Sequence, residues 1–117
     1  MPLLTVHTSA PDLPEEKAQA FLRKLSSTAA EILGKPERYM MTCLARRTPM
    51  TFGGSPEPAC AVEVRSIGAL GGDKPKRLTE AVCALVQEHL HVAKDRTYVV
   101  CDDVPASLWG LDGSTFG

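Results

Sequence analysis

Two stretches of apolar residues at helical spacing, each bracketed by short strand-like runs, constrain this chain more than any other feature of its sequence. Leu3 to Thr8 reads as a short strand, and Ser9 to Pro14 supplies the turn chemistry that ends it. Ala18, Phe21, Leu22, Leu25, Ala29, Ile32 and Leu33 then keep to one face of a helix, with Glu15 and Glu16 where the helix dipole favours acids. Gly34 predicts the stop, and Pro36 opposes continuation. Tyr39 to Ala45 reads as a second strand, followed by an irregular connection through Pro49 and Phe52-Gly53-Gly54-Ser55-Pro56. Ala59 to Ile67 is the clearest strand: Cys60, Val62 and Val64 share one face while Glu63 and Arg65 share the other. Gly68 to Gly72 is a loop leading to a second helix with the core stripe Leu78, Val82, Leu85, Val86 and His89, and Asp95 to Cys101 is the last long strand.

This order of elements predicts an α/β (α+β) fold in which two β-α-β units form a four-stranded sheet with both helices on one face. The two halves read as one unit used twice, by pattern and not by matching letters. Nothing in residues 1–117 divides the chain, so a single domain is expected, large enough to bury roughly two thirds of its unfolded surface. The sheet face opposite the helices would carry many apolar and small residues, which predicts that another subunit covers it.

Charge excludes some partners. Lys and Arg number 13 against 14 Asp and Glu, a net charge of -1, so no strong field exists to hold nucleic acid or an anionic membrane, and neither is expected as a partner. No run approaches 18 apolar residues, and Met1-Pro2-Leu3-Leu4-Thr5 lacks the basic and apolar regions of a signal peptide, which predicts a cytoplasmic protein. Cys43, Cys60, Cys83 and Cys101 lie far apart, with no C-x-x-C pair and no histidine at ligand spacing. They are expected to behave as small buried hydrophobes rather than as metal ligands or a dithiol. G-x-S-x-G, H-E-x-x-H and phosphate-loop patterns are absent, and the glycine pairs at 53–54 and 71–72 read as turns.

What remains chemically unusual is Pro2. Removal of Met1 would leave a secondary amine at the terminus, and such an amine, with an ordinary pKa of roughly 8, is brought towards neutrality by an apolar pocket and a neighbouring cation. A base tuned near ambient pH suits proton abstraction.

Met1-Pro2-Leu3, Leu33-Gly34-Lys35-Pro36, Met50-Thr51-Phe52-Gly53-Gly54, Glu57-Pro58, Arg65-Ser66-Ile67-Gly68, Asp95-Arg96-Thr97-Tyr98 and Gly113-Ser114-Thr115-Phe116 together resemble one family, that of macrophage migration inhibitory factor and D-dopachrome tautomerase. The resemblance is collinear from Pro2 to the C-terminus. It implies a homotrimer around a central channel, and a keto-enol tautomerase of phenylpyruvate-like aryl-pyruvates that needs no metal or organic cofactor. It places the catalytic base at Pro2 and the cation for the substrate carboxylate at Lys35. Ile67 would offer its backbone N–H to substrate with Ser66 alongside; Tyr39, Trp109 and Phe116 would wall the pocket, and Tyr98 would arrive from a neighbouring subunit. On their own, Lys35 has a plainer explanation as a complement to a helix C-terminus, and Ile67 as core.

Three departures from the family pattern bear on substrate and chemistry. Val100 stands where the family has an asparagine, Leu111 replaces a tryptophan at the pocket rim, and Pro58-Ala59-Cys60-Ala61-Val62 holds one cysteine where the animal cytokine has C-x-x-C. The last argues against thiol-disulfide oxidoreductase activity. The family also implies a rival reading, a leaderless secreted cytokine whose pocket is a binding surface for a protein receptor. A third reading is hydration or dehalogenation of an unsaturated acid by the same amine.

Overall fold

In the computed structural model, which describes residues 1–11 and 13–117, the sheet has the order β2-β1-β3-β4. Strand β1 (Pro2–Thr8) pairs parallel with β2 (Met41–Ala45) and antiparallel with β3 (Cys60–Ser66), which pairs parallel with β4 (Thr97–Asp103). Helices α1 (Glu15–Leu33) and α2 (Lys74–Leu90) make the two crossovers, and a hairpin of β5 (Gly110–Leu111) and β6 (Ser114–Thr115) follows. The predicted pair of β-α-β units is therefore present.

Alternation along the strands sorts side chains onto two faces. Towards the helices, Leu4, Val6, Val62 and Val64 are fully buried against Phe21, Leu25, Ala29 and Leu33 of α1 and Leu78, Val82 and Val86 of α2. His89 is only half-buried, its ring 5.7 Å from that of Phe21, and Cys83 and Leu90 complete the buried stripe of α2. The other face carries three rows across the sheet: Met41, Leu3, Arg65 and Asp102; Cys43, Thr5, Glu63 and Val100; Ala45, His7, Ala61 and Tyr98. This face is more polar than the expected one, because Arg65 pairs with Glu63 at 3.3 Å and with Asp102 at 4.0 Å. Its large exposed apolar residues, Met41, Tyr98 and Val100, stand on the two edge strands.

Several boundaries differ from expectation for local reasons. Tyr39 and Met40 precede β2, because the chain after Pro36 closes a 3-10 turn in which Tyr39 N–H donates to Pro36 and Met40 N–H to Glu37. Asp95 and Arg96 likewise belong to a 3-10 turn, and β4 starts at Thr97 and runs on to Asp103. Cys43 is exposed on the face away from the helices, whereas Cys60 and Cys83 are buried as expected. The irregular connection before β3 is tied down by one side chain: the Arg96 guanidinium donates to the carbonyls of Phe52, Ser55, Glu57 and Pro58 at 2.9–3.3 Å.

Candidate active site

Pro2 heads a central strand, and its lack of an N–H costs the sheet nothing. It stands opposite Ser66 in a pair without mutual hydrogen bonds, flanked by the bond from Ile67 N–H to Met1 O at 3.4 Å. Pro2 and Ser66 are both buried, and the Ser66 hydroxyl has no hydrogen-bond partner among the described residues. Beyond Ser66 the chain turns: Val104 N–H donates to Ser66 O at 2.9 Å and Gly68 N–H to the Asp103 carboxylate at 2.9 Å.

Lys35 is delivered here by the end of α1. Gly34 adopts φ 67°, a conformation that favours glycine, and its N–H and that of Lys35 close on Glu31 and Ala30, the Schellman arrangement. The Lys35 side chain then crosses to β3, where its ammonium donates to Ile67 O at 3.3 Å. The terminal amine, which in this chain belongs to Met1, is held below its ordinary value of 8.0, first by burial and then by the charge of Lys35.

A cavity of about 400 Å³ opens over Met1 and Pro2. Leu3, Met40 and Met41 line it, together with Arg38 and Tyr39 from the turn before β2. Trp109, Leu111 and Phe116, in and around the β5-β6 hairpin, add an aromatic and apolar wall. The wall forms because Asp112 and Gly113, both at positive φ (52° and 82°), make the two-residue turn of the β5-β6 hairpin. Just outside the hairpin, Phe116 N–H donates to Trp109 O at 3.1 Å, which holds the two aromatic residues side by side.

Of the residues named from sequence, the chain brings Pro2, Tyr39, Trp109 and Phe116 to this cavity and sets Lys35, Ser66 and Ile67 beside its proline. Ile67 is half-buried rather than core. Tyr98 and Val100 are elsewhere, on the face away from the helices, at positions paired with Ala61 and Glu63. Arg38, Leu3, Met40 and Met41 were not foreseen. Arg38 was legible only through its place in the Pro36 turn beside Tyr39, since an arginine in a polar run carries no pattern of its own. Among the described residues no group of three His, Cys, Asp or Glu is placed to hold a metal ion, and no helix is long and apolar enough to cross a membrane.

Two β-α-β units in one four-stranded sheet, with a proline at the head of a central strand under an aromatic-walled cavity, define a protein of the tautomerase superfamily. Within it the chain belongs to the macrophage migration inhibitory factor family, whose model, described as "Macrophage migration inhibitory factor (MIF)", matches residues 1–117. A macrophage migration inhibitory factor homolog of Brugia malayi is 35% identical over 117 residues, with all of both chains covered. Macrophage migration inhibitory factor of Rattus norvegicus is 33% identical over 118 residues, covering 99% of each. Among solved structures, the homologue from Prochlorococcus marinus is 48% identical with a TM-score of 0.94, covering 98% of this chain and 99% of that one.

Proposed function

We propose that the chain, once Met1 is removed, is a cofactor-independent keto-enol tautomerase of phenylpyruvate-like 2-oxo acids with Pro2 as its general base. The observation that carries this reading is the placement of Pro2 in the lining of an aromatic-walled cavity, where burial first and the charge of Lys35 second lower the pKa of the chain terminus. An amide nitrogen has a delocalised lone pair and is no base; the terminal amine of Pro2 is one. Removal of Met1 would also free the Ile67 N–H from Met1 O, leaving a donor for substrate beside the base.

In this mechanism the Pro2 amine takes the proton from the carbon next to the carbonyl. The C–H electrons become the new C=C bond as the carbonyl π pair moves onto oxygen, oxygen takes a proton from water, and Pro2 gives its proton back to water; the reverse direction runs the same steps backwards and delivers the proton from Pro2 to carbon. Lys35 holds the substrate carboxylate, since an ammonium has three donors and Ile67 O uses one of them. The same charge disfavours protonation of Pro2, and apolar walls strengthen both effects by excluding water.

The reading includes a homotrimer with a shared pocket, in which Tyr98 and Val100 of one subunit face Pro2 of another. A cytoplasmic location, with export independent of a signal peptide, accompanies it. Intact-mass measurement coupled to a phenylpyruvate assay is the direct test: Met1-free material should turn over, and a verified Pro2 terminus with no activity would overturn the reading. Receptor engagement that survives loss of Pro2 would favour the cytokine-like alternative.

A further inference from the structure

The residue of this cavity that the tautomerase mechanism leaves without a task is Arg38. Its sequence position explains where it sits. Gly34 ends α1, Lys35 follows, and Pro36 starts the 3-10 turn Glu37–Tyr39 that carries Arg38 into the cavity wall. Although Lys35 and Arg38 are neighbours in the chain, their side chains diverge. The Lys35 ammonium reaches Ile67 at the end of β3, whereas the Arg38 guanidinium lies 4.7 Å from the centre of the Tyr39 ring on the β2 side. β1 runs between β2 and β3, so Ile67, the Lys35 partner, follows the strand on one side of Pro2, and Tyr39, the Arg38 partner, precedes the strand on the other.

An exposed arginine is ordinarily a solvated surface charge. Two features separate Arg38 from that case. Its guanidinium lies against an aromatic ring, which restrains a side chain that would otherwise lose rotamer freedom on binding a ligand. It also forms no ion pair or hydrogen bond with another described residue, and it lines a cavity whose other lining residues include the apolar Trp109, Leu111 and Phe116. A planar fork of free donors beside apolar surface matches a carboxylate two bonds at a time.

We propose that Arg38 recognises a second anionic group on the substrate, and that the site is built for dianionic 2-oxo acids. The 2-oxo carboxylate lies on Lys35, the reacting carbon lies over Pro2, and a second carboxylate at the far end of the aryl group meets Arg38. The proposal deepens the tautomerase reading and rests on it for the placement of the first carboxylate.

Cinnamate and 4-carboxycinnamate separate the two charges without being enolisable. Titration of Met1-free protein by calorimetry, with the fluorescence of Trp109, the single tryptophan, as a local report, should show the dicarboxylate binding about tenfold more tightly, the effect of one charge-assisted contact. In Arg38→Gln that ratio should fall to about one. In Lys35→Ala both affinities should drop while the ratio persists. Equal binding of the two acids by the unsubstituted chain, or a ratio that survives Arg38→Gln, overturns the proposal. Since neither probe reacts, normal phenylpyruvate turnover with a ratio of one sinks the role of Arg38 alone. A tenfold ratio in protein that never turns over phenylpyruvate sinks the tautomerase reading and leaves the anion site standing.

Discussion

Tyr98 and Pro2 stand at opposite ends of the same sheet: Tyr98 is level with Ala61 and His7, Pro2 with Ser66 and Asp103. Five residues of strand separate the two rows, about 17 Å at the ordinary rise of a strand. A tyrosine so far off cannot touch substrate over the proline of its own chain; in the shared pocket proposed above it acts from a second subunit. Tyr98→Ala should lower kcat/KM about tenfold, and mixing it with a Pro2-blocked chain should restore part of the activity. The mixed assembly would pair an intact Pro2 from one chain with an intact Tyr98 from the other. Sedimentation should report a trimer, and a fully active monomer would remove the shared pocket.

The terminus sets the pH dependence. Burial, and then Lys35, hold the terminal amine below its ordinary value, and the same surroundings act on Pro2 once it is exposed. The deprotonated amine is the active form, so kcat/KM should rise with pH with its midpoint below 8, the amine's ordinary value. Lys35→Ala removes one cause of the depression. Its rising limb should move to higher pH, and KM for phenylpyruvate should increase about tenfold as the carboxylate loses a charged partner. An unmoved limb would show that Lys35 does not act on Pro2.

Retention of Met1 should abolish turnover, and Pro2→Gly should keep a small residual rate through a less constrained primary amine. Mass-verified samples with and without Met1 decide this: equal activity would exclude Pro2 as the base.

Thiol chemistry at Cys60 should be silent. Burial, with Cys83 nearby, pushes the Cys60 thiol up to about 12 from an ordinary 9.0, leaving almost no thiolate at neutral pH. Alkylation of Cys60 should therefore wait for unfolding, and insulin reduction should not exceed background. Reduction that disappears in Cys60→Ala would contradict this.

Arg96→Ala should destabilise the fold by about 2 kcal/mol, since its hydrogen bonds to four carbonyls replace secondary structure in the connection before β3. Denaturant unfolding checks it, and a change within error would mean that water satisfies those carbonyls equally well.

Periodicity carried the fold because burial is one-sided: Phe21, Leu25 and Leu33 repeat at helical spacing only because one face of α1 meets Leu4 and Val64. It failed where local turns compete with extension, as at Tyr39 after Pro36 and at Arg96 after Ala93. It also overstated the apolar character of the second sheet face, where Glu63, Arg65 and Asp102 satisfy one another. For the site, the family resemblance named Tyr39, Trp109 and Phe116, which line the cavity over Pro2, yet it passed over Arg38, which is set apart by a ring contact and by lacking a carboxylate partner among the described residues. Neither property is written in a one-dimensional pattern.

Met1 and Phe116 border the same cavity, one at each end of the chain. This has a practical consequence for handling the protein. A purification tag fused ahead of Pro2 would acylate the reactive nitrogen, and one fused after Gly117 would crowd the aromatic wall. A cleavable leader whose removal leaves proline first, with the carboxyl end untouched, is the arrangement that spares both.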